Sequence, residues 1–140
     1  MTEMEKYKFL DEITSDVMFE AYGKDLKDLF ENAAEALMQI ICKKDLVGSE
    51  KELKVEVKAD SAEDLMINWL QYLIATVDIE EMFFSKFRIT EIDEKHLTGY
   101  AYGETMTPEK GETVVKAVTY HKYKFKKTDD GYMTRVSLDI

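Results

Sequence analysis

Acidic groups far apart in the chain are the side chains best suited to chemistry. Asp16 stands just before an alternating apolar run, Val17 to Gly23, and the sequence ends on Leu138-Asp139-Ile140, a carboxylate side chain beside the final carboxyl group. Should the fold bring Asp16 to that end, two Asp side chains and the Ile140 carboxylate would share one spot. Like charges so close repel strongly unless screened or neutralised. A hard divalent cation resolves the conflict, because ligation by oxygen alone is what Ca²⁺ or Mg²⁺ takes, rather than Zn²⁺ or copper. The plainer reading makes Asp16 a turn residue and Asp139 part of a solvated tail.

Other residues could join or rival that cluster. Between Thr113 and Lys126 a period of two sets Val114, Lys116, Val118 and Tyr120 on one face and Val115, Ala117, Thr119 and His121 on the other. Lys116 is then expected among apolar neighbours, where a lysine needs a carboxylate partner or must reach a rim. Glu104, Asp16 and Asp139 are the candidates, and the functional alternative has Lys116 holding an anionic group at the acidic site. His96 and His121 are the only histidines, which excludes a multi-histidine metal centre. No nucleophile, base and orienting acid stand at motif spacing around His121. Lys122, Lys124, Lys126 and Lys127 interleave with Tyr123 and Phe125 like a strand that binds single-stranded nucleic acid, although lysines along a sheet edge produce the same pattern. No glycine-rich run followed by lysine and a hydroxyl residue offers a phosphate loop.

Composition narrows the classes further. A chain of 140 residues suits one domain, burying roughly two thirds of its unfolded surface without disulfides. Cys42, the single cysteine, follows Ile40 and Ile41 and reads as a buried thiol. No disulfide framework, apolar leader or membrane-length run is present, and a cytoplasmic protein is expected. Lysine and arginine number 19 against 29 acids, a net charge of −10. That balance disfavours direct capture of a phosphate backbone, so RNA would be reached through a partner protein.

These side chains need elements to position them. Tyr7 to Leu10 predicts a short strand, Thr14-Ser15-Asp16 a turn, and Val17 to Tyr22 a second strand closed by Gly23. Asp25 with Asp28 caps a helix running to about Cys42. A polar connector, 43–51, leads to a strand on Leu53, Val55, Val57 and Ala59. Ser61 with Asp64 opens a second helix, from Ala62 to about Val77, which is apolar nearly all round and so covered on more than one side. An acidic link, 78–81, precedes a strand or strand pair from Met82 to Ile89, whose aromatics read as core. Leu97 to Tyr102 is a strand, Gly103 to Gly111 a loop, and Thr113 to Lys126 the longest strand. Asp129-Asp130-Gly131 turns the chain back through Tyr132 to Ile140. The fold expected is α+β, a single domain over 1–140 with two buried helices between β-sheet layers.

With these segments laid out, the whole chain resembles the archease family. The likeness rests on Thr14-Ser15-Asp16 with FEAYG after it, LKDLFENAAEAL in the first helix, EDLMINWLQYLI in the second, VVKAVTYH from Val114 to His121, and the closing LDI. The family typically has His-Thr-Ala-Asp where this chain has Ile13-Thr14-Ser15-Asp16, so the aspartate is kept and the imidazole lost. A glutamate common in the family at the position of Val114 is absent, and Glu112 lies two residues earlier. The resemblance implies an accessory protein rather than an enzyme: a cofactor of the RtcB-type RNA ligase of tRNA splicing, promoting guanylylation of the ligase's catalytic histidine, multiple turnover and broader nucleotide use. It carries the family's metal site, with Ca²⁺ favoured over Mg²⁺, onto Asp16, Asp139 and Ile140. Lys116, Glu104 and His121 are further candidates for the site or for partner contact. The rival expectations are a general chaperone or assembly adaptor for RNA- and DNA-processing proteins, hinted at by eight methionines, and a metal-dependent hydrolase using Asp16, Asp139 and Lys116.

Overall fold

The computed structural model describes residues 5–10 and 16–140; Ile13, Thr14 and Ser15 lie outside the described residues. The chain runs β1 (Tyr7–Leu10), β2 (Val17–Gly23), α1 (Leu26–Ile41), β3 (Lys51–Lys58), α2 (Ala62–Glu80), β4 (Met82–Ile92), β5 (His96–Thr105), β6 (Ala117–Thr128) and β7 (Gly131–Asp139). All strand pairs are antiparallel, in a four-stranded sheet ordered β1-β2-β7-β6 and a three-stranded sheet ordered β3-β5-β4. Both helices lie between the sheets: α1 packs on β2 and β7 from one and β4 from the other, while α2 touches β6 and the three strands of the smaller sheet. This is the expected α+β arrangement.

The helices start where short polar side chains can cap them. The Asp25 carboxylate accepts the Asp28 N–H at 2.8 Å, and Asp28 in turn accepts the Lys24 N–H at 3.1 Å. Ser61 Oγ does the same for the Asp64 N–H at 3.2 Å. Each satisfies a main-chain donor that the first turn leaves without a partner. Between the helices Trp69 is fully buried, its Nε1–H donating to the Phe30 carbonyl at 2.9 Å and its ring meeting Phe87 edge-on at 6.0 Å.

Three stretches depart from the sequence expectation. Helix α2 continues through Asp78 to Glu80, and Glu81 ends it in the left-handed region (φ 53°, ψ 47°) with its N–H on the Val77 carbonyl. Acids at a helix C-terminus oppose the helix dipole, which is why the pattern reads as a link, but exposed acids there cost little and no glycine or proline stops the helix earlier. Met82 to Ile92 is one strand carrying two bulges, with its aromatics buried as expected. At the first bulge the β5 partner must be glycine, since a Cβ on Gly103 would sit 1.9 Å from the Phe83 carbonyl oxygen.

The third departure is the largest. Strand β6 begins only at Ala117. Ahead of it the chain crosses the end of α1, where the N–H groups of Glu112 and Thr113 donate to the carbonyls of Ile41 and Ile40 at 2.9 and 3.2 Å. Those carbonyls have no partner inside the helix, so 112–113 bind to them instead of joining a ladder. Strand β6 is also broken by a bulge, its register with β7 jumping from Thr119↔Ser137 to Lys124↔Arg135, with Lys122 at φ 54°. The period-two reading of 113–126 fails for both reasons.

Candidate acidic site

Asp16 immediately precedes β2 and Asp139 closes β7. The two strands are paired from Val17↔Leu138 to Gly23↔Tyr132, so one further step of the same register sets Asp16 opposite Asp139. Alternation places both on the sheet face away from Phe19, Val136 and Leu138, which are fully buried against the helices. The hydrophobic effect thereby fixes the two acids: a slip of one residue would turn Phe19 and Leu138 to the wrong face.

Strand β6 holds the other flank. Ala117 pairs with Asp139, and the Lys116 N–H donates to the Asp139 carbonyl at 2.8 Å. The start of β6 is braced from the helix layer, where Gln71 Oε1 accepts the Val118 N–H at 3.0 Å. Further along, the fully buried Ser137 donates its hydroxyl to the His121 carbonyl at 2.8 Å and ties the bulge to β7. Neither support was expected. Gln71 did leave a signal, as the one amide in the apolar run from Trp69 to Val77, whereas Ser137 looked like any outward residue of β7.

The remaining candidates separate. Lys116 does reach the acidic end through its main chain, but its side chain is exposed and not embedded among apolar neighbours: Val114 and Tyr120, expected to bury it, are 77% and 66% exposed. Glu104 is no partner for Lys116. It lies on β5, ion-paired to Lys110 and accepting the Gly48 N–H at 3.1 Å, and these contacts, Lys110 first, hold its carboxyl below the usual range. His121 is exposed in the β6 bulge, with its main-chain N–H on Thr119 Oγ1 at 3.3 Å. Glu112 is exposed and outside any strand. The lysines at 124, 126 and 127 point to solvent from the edge strand while Phe125 packs inward, which is the sheet-edge reading. Cys42 is buried as expected, its thiol donating to the Met38 carbonyl at 3.3 Å.

Among the described residues, no group of three or more His, Cys, Asp or Glu side chains could hold a metal ion. The ligands expected from the sequence, Asp16, Asp139 and Ile140, are therefore not a side-chain cluster of that kind. That donor set is oxygen alone and fits a hard ion. No helix among the described residues is long and apolar enough to cross a membrane.

Comparison with known proteins gives one answer. The model of the Archease protein family (MTH1598/TM1083) matches residues 7–140. Protein archease of Methanosarcina acetivorans is 38% identical, with 96% of each chain covered, and that of Sulfurisphaera tokodaii is 38% identical over 98% of this chain and all of the relative. The solution structure of Methanobacterium thermoautotrophicum protein 1598 superimposes with a TM-score of 0.81 at 35% identity, covering 98% of this chain and 100% of that one. The crystal structure of an archease from Thermotoga maritima, described as a possible chaperone, gives 0.68 at 21% identity over the full length of both, a likeness of fold alone. With all seven strands and both helices inside the matched region, the chain belongs to the archease family.

Proposed function

We propose that this protein is a metal-binding accessory factor of an RtcB-type RNA ligase, promoting guanylylation of the ligase, multiple turnover and broader nucleotide use, and not itself an enzyme. The observation that supports the reading is the β2–β7 ladder, which ends at Val17↔Leu138, one step short of Asp16 and Asp139, with the Lys116 N–H on the Asp139 carbonyl. Family membership supports it independently. Asp16, Asp139 and the Ile140 carboxylate would hold Ca²⁺, or Mg²⁺ in its place. When bound, the cation supplies positive charge against which a nucleotide triphosphate is neutralised. The chain's own part is to hold the two carboxylates at the end of a two-strand ladder, with Lys116, exposed and tied by its main-chain N–H to the Asp139 carbonyl, available for an anionic group of the ligase–nucleotide complex. A net charge of −10 leaves contact with RNA to the ligase, and the cytoplasm is the compartment this role requires.

The test is RNA end-joining with the ligase limiting. Product exceeding the ligase several-fold with the parent protein, and not with Asp16→Ala or Asp139→Ala, is expected; equal stimulation by Asp139→Ala would remove the site from the mechanism. The adaptor reading draws on exposed Val114, Tyr120 and Leu46. It predicts suppression of client aggregation that survives both Asp substitutions.

A further inference from the structure

Strand β3 is the free edge of the three-stranded sheet, hydrogen-bonded only to β5 among the described strands, and its eight-residue ladder carries no bulge. The other described edges are poor templates for another strand. β1 is four residues long, β4 is bulged twice, and β6 is bulged and has its Val118 N–H taken by Gln71.

Main-chain direction along β3 follows from its neighbours. The Ala59 N–H donates to the Lys95 carbonyl, so odd-numbered residues turn their main chain toward β5 and Glu52, Lys54, Glu56 and Lys58 turn theirs outward. Consistently, the Lys58 carbonyl is met from outside by Asn68 Nδ2 at 2.9 Å, which closes the free edge at that end. The same four even-numbered residues carry exposed side chains of alternating charge.

We infer that β3 is a self-association edge: two copies pair their β3 strands antiparallel about Val55, joining the two small sheets into one of six strands. Only even-to-even registers match the outward main-chain groups. Centring on Val55 sets Lys54 against the second copy's Glu56, twice over by symmetry, and the new ladder stops short of Lys58, whose carbonyl Asn68 holds. A shift of one step either way sets Lys54 or Glu56 against itself and brings like charges together at the flanking positions. The central register is therefore selected by charge. On the helix-facing side the pairing sets Leu53 opposite the second copy's Val57. It also continues an apolar groove formed by Leu53, Tyr72, Ala75 and Ile79, of which Tyr72 and Ile79 are 37% and 77% exposed. In the single chain the Lys54 and Glu56 side chains face each other at 3.5 Å while both stay 58% exposed, so exchanging that contact for one across the axis loses little.

Sedimentation velocity across a hundredfold concentration range tests this. The parent should move from 16.3 kDa to twice that mass. Lys54→Glu alone and Glu56→Lys alone each place like charges opposite one another and should weaken the dimer about tenfold or more. Mixing the two variants restores opposite charges at both central positions and should restore the dimer, as should the double variant Lys54→Glu/Glu56→Lys. A parent that stays monomeric throughout, or a dimer indifferent to either single change, would overturn the inference. Both positions are exposed, and unchanged circular dichroism separates loss of pairing from loss of fold.

Discussion

Glu20 is charged, only 8% exposed, and stays so because of its partners. Burial alone would raise its pKa, but the Tyr22 hydroxyl at 2.8 Å and the Arg135 guanidinium at 2.9 and 2.8 Å outweigh burial and hold the carboxyl below its ordinary 4.5. A depressed folded-state pKa gives stability that is complete above the unfolded value and lost as pH falls through the folded one. Arg135→Ala should cost about 2 kcal/mol at pH 7 in urea unfolding, a deficit that narrows below pH 4.5 as Glu20 takes up a proton. A deficit independent of pH would contradict the pairing. Burial likewise pushes the Cys42 thiol up to about 11, so a disulfide reagent should modify it slowly in the folded protein and stoichiometrically in denaturant. At this scale the sequence was legible where one neighbour decides the outcome, as for the buried Cys42 or the caps Asp25 and Ser61. It misled at Lys116, whose surroundings depend on where β6 begins.

Among the elements, α1 and α2 meet through Trp69 and the Phe30 carbonyl. Trp69→Phe removes the indole N–H from a carbonyl that keeps its helical partner and leaves a gap where the larger buried ring packed, and should lower stability by about 1–3 kcal/mol, read from the urea midpoint at constant slope. The hairpin between β6 and β7 turns on Gly131, at φ +147°, where a Cβ would lie 2.1 Å from the Gly23 carbonyl oxygen. Gly131→Ala should cost about 1–3 kcal/mol, and an unchanged melting temperature would refute the strain. Both helices, β1, β2, β3 and the β6–β7 turn were readable because period, caps and turn residues agreed locally. Residues 112–116 were not, because the N–H groups of Glu112 and Thr113 are taken by the open end of α1, a contact that no local pattern encodes. The β6 bulge was hidden for a related reason: Lys122 accepts φ 54° in a loop tied by Ser137 from the neighbouring strand.

For the whole molecule, two sheets enclosing two helices hold the ends of β2 and β7 together, and that is what brings residues 16 and 139 to the same end of the ladder. The pairing of distant acids was legible because both flank strands with clear alternation; the Gln71 brace was not, since it crosses from the helix layer. An ion held there binds the folded chain alone. Saturating Ca²⁺, at about a hundred times its dissociation constant, should therefore add about 2.7 kcal/mol to stability. A chelator should remove that gain, and Asp139→Ala should show none. The most direct measurement is transfer of labelled guanylate from GTP to an RtcB-type ligase in Ca²⁺ or Mg²⁺, with parent protein, Asp16→Ala, Asp139→Ala and, as a folded control, Lys110→Ala. Faster labelling by the parent and Lys110→Ala, and none above background by either Asp variant, is the result the account predicts; labelling by Asp139→Ala at the parent rate would contradict it.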